Sequence, residues 1–129
     1  MVEFALTLIV FLALLLGILD FGRGIFMFNG VAEAAREIAR VTSVHPGSPF
    51  GASPETGAVV DGQQGIIFEL GEPEFACVDI EGNDVALAAG RCLPGNFVKV
   101  TIAAQYSPVT PILNLIATEI SSSSSVQIP

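Results

Sequence analysis

From Phe4 to Leu19 the chain carries no charged side chain. Glu3 precedes that run and Asp20 closes it. With Phe21, Ile25, Phe26, Met27 and Phe28 the apolar tract passes 20 residues. A helix of that length crosses the roughly 30 Å hydrocarbon core of a bilayer. Such a segment cannot stay bare in water. It must be covered by lipid, by a folded core or by copies of itself. The full 129 residues make one small domain with at most one appended element.

A cleaved secretory signal fits this start poorly, because it wants a basic beginning, a shorter apolar core and a small-residue cleavage site. An ordinary anchor fits better, yet the flanking Lys and Arg that fix orientation are missing. The expectation is that a basic leader has been removed from a precursor and that Met1 is a mature amino terminus.

Charge divides the chain. The net charge is −8, and beyond His45 only Arg91 and Lys99 stand against nine acids. Phosphate binding needs a basic face, so nucleic acid is excluded as a partner. A solvated acidic domain on an apolar stalk fits the split.

From Asp20 the pattern turns amphipathic. Ile25, Phe28, Val31, Ala32, Ala35, Ile38, Ala39 and Val41 recur near helical spacing. Glu33–Arg36 and Glu37–Arg40 are opposite charges three residues apart and support a helix weakly. Pro46 ends it, since the residue before a proline leaves the helical region. One helix is therefore expected over residues 2–43, roughly 60 Å long. Its first half is apolar all round and its second half has one apolar face. Gly17, Gly22, Gly24 and Gly30 each cost about 1 kcal/mol inside a helix. They permit close helix contacts, mark a stretch or melting point at 22–24, or are simply tolerated.

Glu3 is the odd residue. An isolated carboxylate in an apolar medium costs several kcal/mol unless paired. No basic side chain lies within a helical turn of it. The nearest cation would be an α-amino group, its own or a neighbouring copy's. Pairing across copies would set the axial register of one subunit on the next; the bland alternative is an idle carboxylate at the membrane surface. Asp20 and Arg23 can pair within the chain or between subunits.

The opening VEFALTLIVFLALLLGILDFGR resembles the TadE-like family of tight-adherence (Tad) pilins, with Glu-Phe-Ala, an apolar run and then Asp-Phe-Gly-Arg. AEAAREIARVTSVHPG resembles that family's Ala-Ala-Arg-Glu-x-Ala-Arg segment. VKVTIAAQYSPVTPIL and ISSSSSV resemble its carboxyl-terminal Val-x-Val, Tyr and Thr-Pro element and its Ser-rich end. The likeness covers residues 2–47 and 97–128 and leaves 48–95 without a counterpart. It implies a prepilin cut by a dedicated membrane peptidase and assembled by an ATP-driven envelope machine. The glutamate of such pilins maps onto Glu3, here the third residue where type IV pilins usually carry it fifth. Family members are often minor pilins.

The remainder is read by pattern. PGSPFGASPETG at 46–57 reads as a linker or surface loop. AVVDGQQGIIFELG holds a short helix, or a strand from Ile66 to Leu70. FACVDI, LAAGRCL, FVKVTIAAQYS and SSSSVQI are strand candidates. In VKVTIAAQY the residues Val98, Val100, Ile102 and Ala104 share one face. EGND and GRCLPGN signal turns. TPILNLIATEI reads as a short helix leading into the last strand. The serines at 121–125 read as a strand or as a flexible, O-glycosylated segment. Cys77 and Cys92, with an export-type leader, read as a disulfide closing a surface hairpin, or as two buried thiols.

The resulting expectation is an α+β chain. A long apolar N-terminal helix forms residues 1–45, and a small antiparallel sheet head over 46–129 packs on its second half. The residues expected at subunit–subunit contacts are Met1, Glu3, Phe4, Leu8, Phe11, Leu15, Asp20 and Arg23. No enzyme motif appears: the one histidine precedes a proline, and there is no phosphate loop, nucleophile elbow or metal set. No cofactor is expected. The function expected is a pilin that polymerises into an extracellular filament for attachment, residing in the inner membrane before assembly. Its partners would be copies of itself, the membrane, the peptidase and the assembly machinery. Two other readings stand beside it: a single-pass minor pilin or assembly factor, and an adhesive surface on residues 48–95.

Overall fold

The computed structural model describes residues 2–67, 69–109 and 118–129. Helix α1 (Val2–Val44) runs unbroken for 43 residues, through all four of its glycines. Its last backbone bond joins the His45 amide to the Val41 carbonyl at 2.9 Å. Pro46 then forbids continuation. At Gly47 (φ +71°) the chain turns so tightly that a Cβ would lie 2.6 Å from the Ser53 nitrogen.

Residues 46–57 are not all loop. Helix α2 (Pro54–Ile66) starts inside that segment. Ser53 caps it: its Oγ accepts from the Thr56 amide at 3.0 Å, and Pro54 takes the first helical position, where no N–H is needed. The Ser53 hydroxyl also donates to Thr56 Oγ1 at 2.8 Å, and Thr56 Oγ1 lies 3.1 Å from Thr42 Oγ1 on α1. Thr42 and Thr56 are fully buried. This chain of hydroxyls ties the end of α1 to the start of α2 with each polar atom satisfied.

Three strands follow: β1 (Glu74–Val78), β2 (Phe97–Tyr106) and β3 (Thr118–Gln127). They form one antiparallel sheet in the order β1-β2-β3, with Cys77 opposite Val98 and Ser123 opposite Thr101. One strand expectation is corrected, and the open choice at AVVDGQQGIIFELG falls to the short helix. Ile66 ends α2, and Leu70 makes only an isolated bridge to Ala104. LAAGRCL folds as a tight turn in which Ala88 and Arg91 bond to each other, because Ala89 and Gly90 both have positive φ. The expected helix at TPILNLIA lies outside the described residues, while Thr118–Ile120 belong to β3. The serine run takes the strand reading, pairing with β2 across its whole length.

The sheet packs on the second half of α1. Val98, Val100, Ile102 and Ala104 all point into the core, as their alternation predicts. Val31, Ala34, Ala35, Ile38 and Ala39 meet them from α1, with Val60, Ile67 and Leu70 closing the side. Three alanines on the contact face let the helix lie close to the sheet. Ile38 and Ile102 each stabilise the fold by about 1.5–3 kcal/mol through burial. A smaller cluster at the far end holds Cys77, Cys92 and Ile128 against Phe50 and Val85.

Candidate functional site: the amino-terminal helix and its junction with the head

The two halves of α1 differ in what covers them. From Val2 to Leu19 every residue except half-buried Gly17 is exposed, and the most apolar window has no buried share at all. Phe4 is 74% exposed and Phe11 55%. Leu8 and Leu15 stand out in the same way. By length and composition α1 is able to cross a membrane. Eighteen residues at 1.5 Å rise give about 27 Å, close to the thickness of a bilayer's hydrocarbon core.

Asp20 is the first buried residue of α1, at 3% exposure. Its carboxylate Oδ1 accepts from the Val109 amide at 2.9 Å, and Arg23 Nη1 stands 4.0 Å away. One turn of backbone is recruited as well: the Tyr106 hydroxyl donates to the Asp20 carbonyl at 2.6 Å. The Tyr106 ring passes beside Gly24. A buried carboxylate is costly unless its charge is met by donors. Here a backbone N–H and a nearby guanidinium meet it. The result is a clasp that fixes the end of β2 and the loop after it to α1 at the level where the exposed stalk stops.

The expected contact residues are therefore placed in two groups. Glu3, Phe4, Leu8, Phe11 and Leu15 lie on the exposed stalk, where Thr7 Oγ1 donates to the Glu3 carbonyl at 2.9 Å. Asp20 is turned into its own chain, and Arg23, half-exposed, stands beside it within the same helix. Met1 lies outside the described residues. Cys77 and Cys92 form a disulfide with their Cα atoms 5.6 Å apart.

Tyr106 and Val109 are partners of Asp20 that sequence reasoning missed. A signal existed for the first. Tyr106 has the parity of Val98 through Ala104, so the strand pattern sends it toward the helix face. Nothing local in the sequence names Asp20, 86 residues earlier, as its partner.

Residues 1–40 match the TadE-like protein family. No curated protein and no solved structure matches the chain. The matched segment holds the stalk, Asp20 and Arg23 and stops inside α1. It spans less than a third of the 129 residues. The resemblance read from the opening motif stands on this segment. The likeness read at 97–128 falls outside it.

The head offers other chemistry in small amounts. The turn after β1 is organised by Asp79, whose Oδ1 accepts from the Glu81 and Asn83 amides at 2.8 and 2.9 Å. The Asn83 amide foremost, then its side chain, holds the Asp79 carboxyl below its usual range. An open depression of about 310 Å³ lies between Gly51–Gly57, Val60–Asp61 and Glu72–Phe75, and its buried hydroxyls, Ser53 and Thr56, already bond each other. Among the described residues no group of three or more His, Cys, Asp or Glu could hold a metal ion.

Proposed function

We propose that this chain is a Tad-type pilus subunit that resides in the inner membrane by the first half of α1 and then polymerises through it into a surface filament. One observation carries the reading. The stalk is apolar around its whole circumference, yet among the described residues the head covers none of its most apolar window. The TadE-like match over the same residues agrees with it.

The physics runs in two stages. In the bilayer, lipid covers the stalk, and helices gain little by exchanging lipid for one another. Outside it, water is the alternative. Each large side chain returned to water costs about 1.5–3 kcal/mol, so Phe4, Leu8, Phe11 and Leu15 hold an extruded subunit among its neighbours. Glu3 then sits in an apolar layer and takes a cation from an adjacent copy, which sets the register. The acidic head faces solvent. A dedicated peptidase and an ATP-driven envelope machine are the partners that such a cycle requires.

The test is fractionation of cells expressing the chain. The unchanged protein is expected both in detergent-extracted membranes and in material sheared from the surface. Glu3→Gln is expected to vanish from the sheared fraction while remaining in membranes with a folded head. An unchanged chain confined to membranes would make it a single-pass assembly factor. A Glu3→Gln chain that shears off normally would remove the registry role.

A further inference from the structure

We propose that residues 21–28 of α1 form a collar seated in the surface of the bilayer, so that the head rests on lipid instead of standing clear of it. The proposal rests on the membrane residence proposed above and fixes how deep the chain enters.

On this stretch α1 turns one narrow line toward its own chain: Asp20, Gly24 and Met27, leading to Val31. The Tyr106 ring passes beside Gly24 on that line. The rest of the circumference is exposed and mostly apolar. Phe21 is 71% exposed, Phe26 66% and Phe28 57%, with Ile25 exposed beside them. Phe21, Ile25 and Phe28 follow at spacings of four and three and share one side of the helix. Phe26 lies about 100° round from Ile25. A rigid partner helix meets one such side. A fluid apolar layer wets both.

Position names the fluid. The collar continues, with no break in α1, the segment able to cross a membrane. Glu3 and Asn29 are exposed polar residues at the two ends of the whole tract. Between them, residues 4–28 rise about 37 Å. A hydrocarbon core of about 30 Å and one head-group layer of about 5–7 Å make the same length. In that placement Glu3 meets water at one surface, and Phe28 reaches the outer edge of the other.

The two charges inside the tract are handled as such a depth requires. Asp20 is buried, turned into its own chain with the Val109 amide donating to it at 2.9 Å. Neither the carboxylate nor that amide is left bare to acyl chains. Arg23 is half-exposed, and its long side chain carries the guanidinium outward to the lipid phosphates. Val109 comes from a different segment and adds an apolar side chain, 64% exposed, at the level of Asp20.

Depth-resolved quenching tests this. The chain has no tryptophan, so one placed at a chosen site reports on that site. The full chain carrying Phe26→Trp, Phe28→Trp, Phe11→Trp or Ile80→Trp is reconstituted in phosphatidylcholine vesicles. Their acyl chains carry bromine either next to the head groups or near the bilayer centre, and iodide is present on both sides. Ile80 is exposed on the turn after β1, at the end of the sheet away from Tyr106. All four sites are exposed, so the variants are expected to melt as the unchanged chain does. Both collar reporters are expected to emit at shorter wavelength than Ile80→Trp, to lose most of their emission to bromine near the head groups, and to escape iodide. Phe11→Trp is expected to respond to central bromine. Collar reporters that iodide quenches as it quenches Ile80→Trp, or Phe26→Trp alone doing so, would overturn the collar and leave the span intact. Phe11→Trp untouched by bromine at either depth would remove the span, and the collar with it.

Discussion

The two halves of α1 share one backbone and obey different solvents. Residues 2–19 are apolar on every side and, among the described residues, all but half-buried Gly17 are exposed. Residues 20–44 bury one line, from Asp20 through Val31, Ile38 and Thr42, under a sheet and a second helix. The first half contributes nothing to the head's core, and the second is its largest single part. The difference teaches that the head's fold is written on the second stretch of a single helix, while the first stretch leaves its apolar surface to be covered from outside, with Asp20 at the seam.

The sharpest way to break that comparison is to cut side chains from each half. Ile38→Ala is expected to destabilise the head by about 2–5 kcal/mol, because it opens a cavity in a fully buried site. Leu15→Ala is expected to leave the melting temperature of the detergent-solubilised protein unchanged while weakening assembly. Thermal denaturation of both variants checks the pair. Equal losses of stability would mean that the stalk supports the fold after all.

How much of this division could be read from the sequence depends on the range of the interactions. The apolar run, Pro46 and the alternation in β2 are local, and each placed its element. Helix α2 was legible only in part. Gly57, Gly62 and Gly65 hide a helix that holds through the Ser53 cap, Pro54 and the buried Val60. LAAGRCL looked like a strand because its apolar content outweighed Ala89 and Gly90, which bend the chain back. The stalk's exposed apolar residues were visible as a class. The burial of Asp20 was not, because Val109 reaches it from 89 residues away.

That seam gives the next prediction. Asp20→Ala is expected to cost about 1–3 kcal/mol by taking the side-chain acceptor from the Val109 amide, while the Tyr106 hydroxyl keeps its bond to the backbone carbonyl of residue 20. Its signature is local: faster amide exchange at Val109 with slow exchange retained at Val100 and Ile102. Uniformly faster exchange would place Asp20 in the core's cooperative unit and move the seam.

Smaller effects sharpen the head's side of the comparison. Ser53→Ala is expected to cost about 1 kcal/mol, read as a lower melting temperature, because α2 loses its cap. The Asp79 turn gives the smallest effect, and its sign follows from the lowered pKa. The ionised carboxylate is the form that the Glu81 and Asn83 amides bind. Turn stability is therefore complete above the usual carboxylate range and is lost as pH falls through the depressed value. Amide exchange at Asn83, corrected for intrinsic rate, is expected to stay protected down through the ordinary aspartate range and to rise below it. Loss of protection at higher pH would contradict the assignment.

Electron cryo-microscopy of filaments sheared from cells, with intact-mass identification of the subunit, tests the central claim most directly. The account predicts filaments of this chain in which residues 2–19 pack together at the centre and the heads lie outside. Filaments joined through their heads with the stalks elsewhere, or surface filaments lacking this chain, would contradict it.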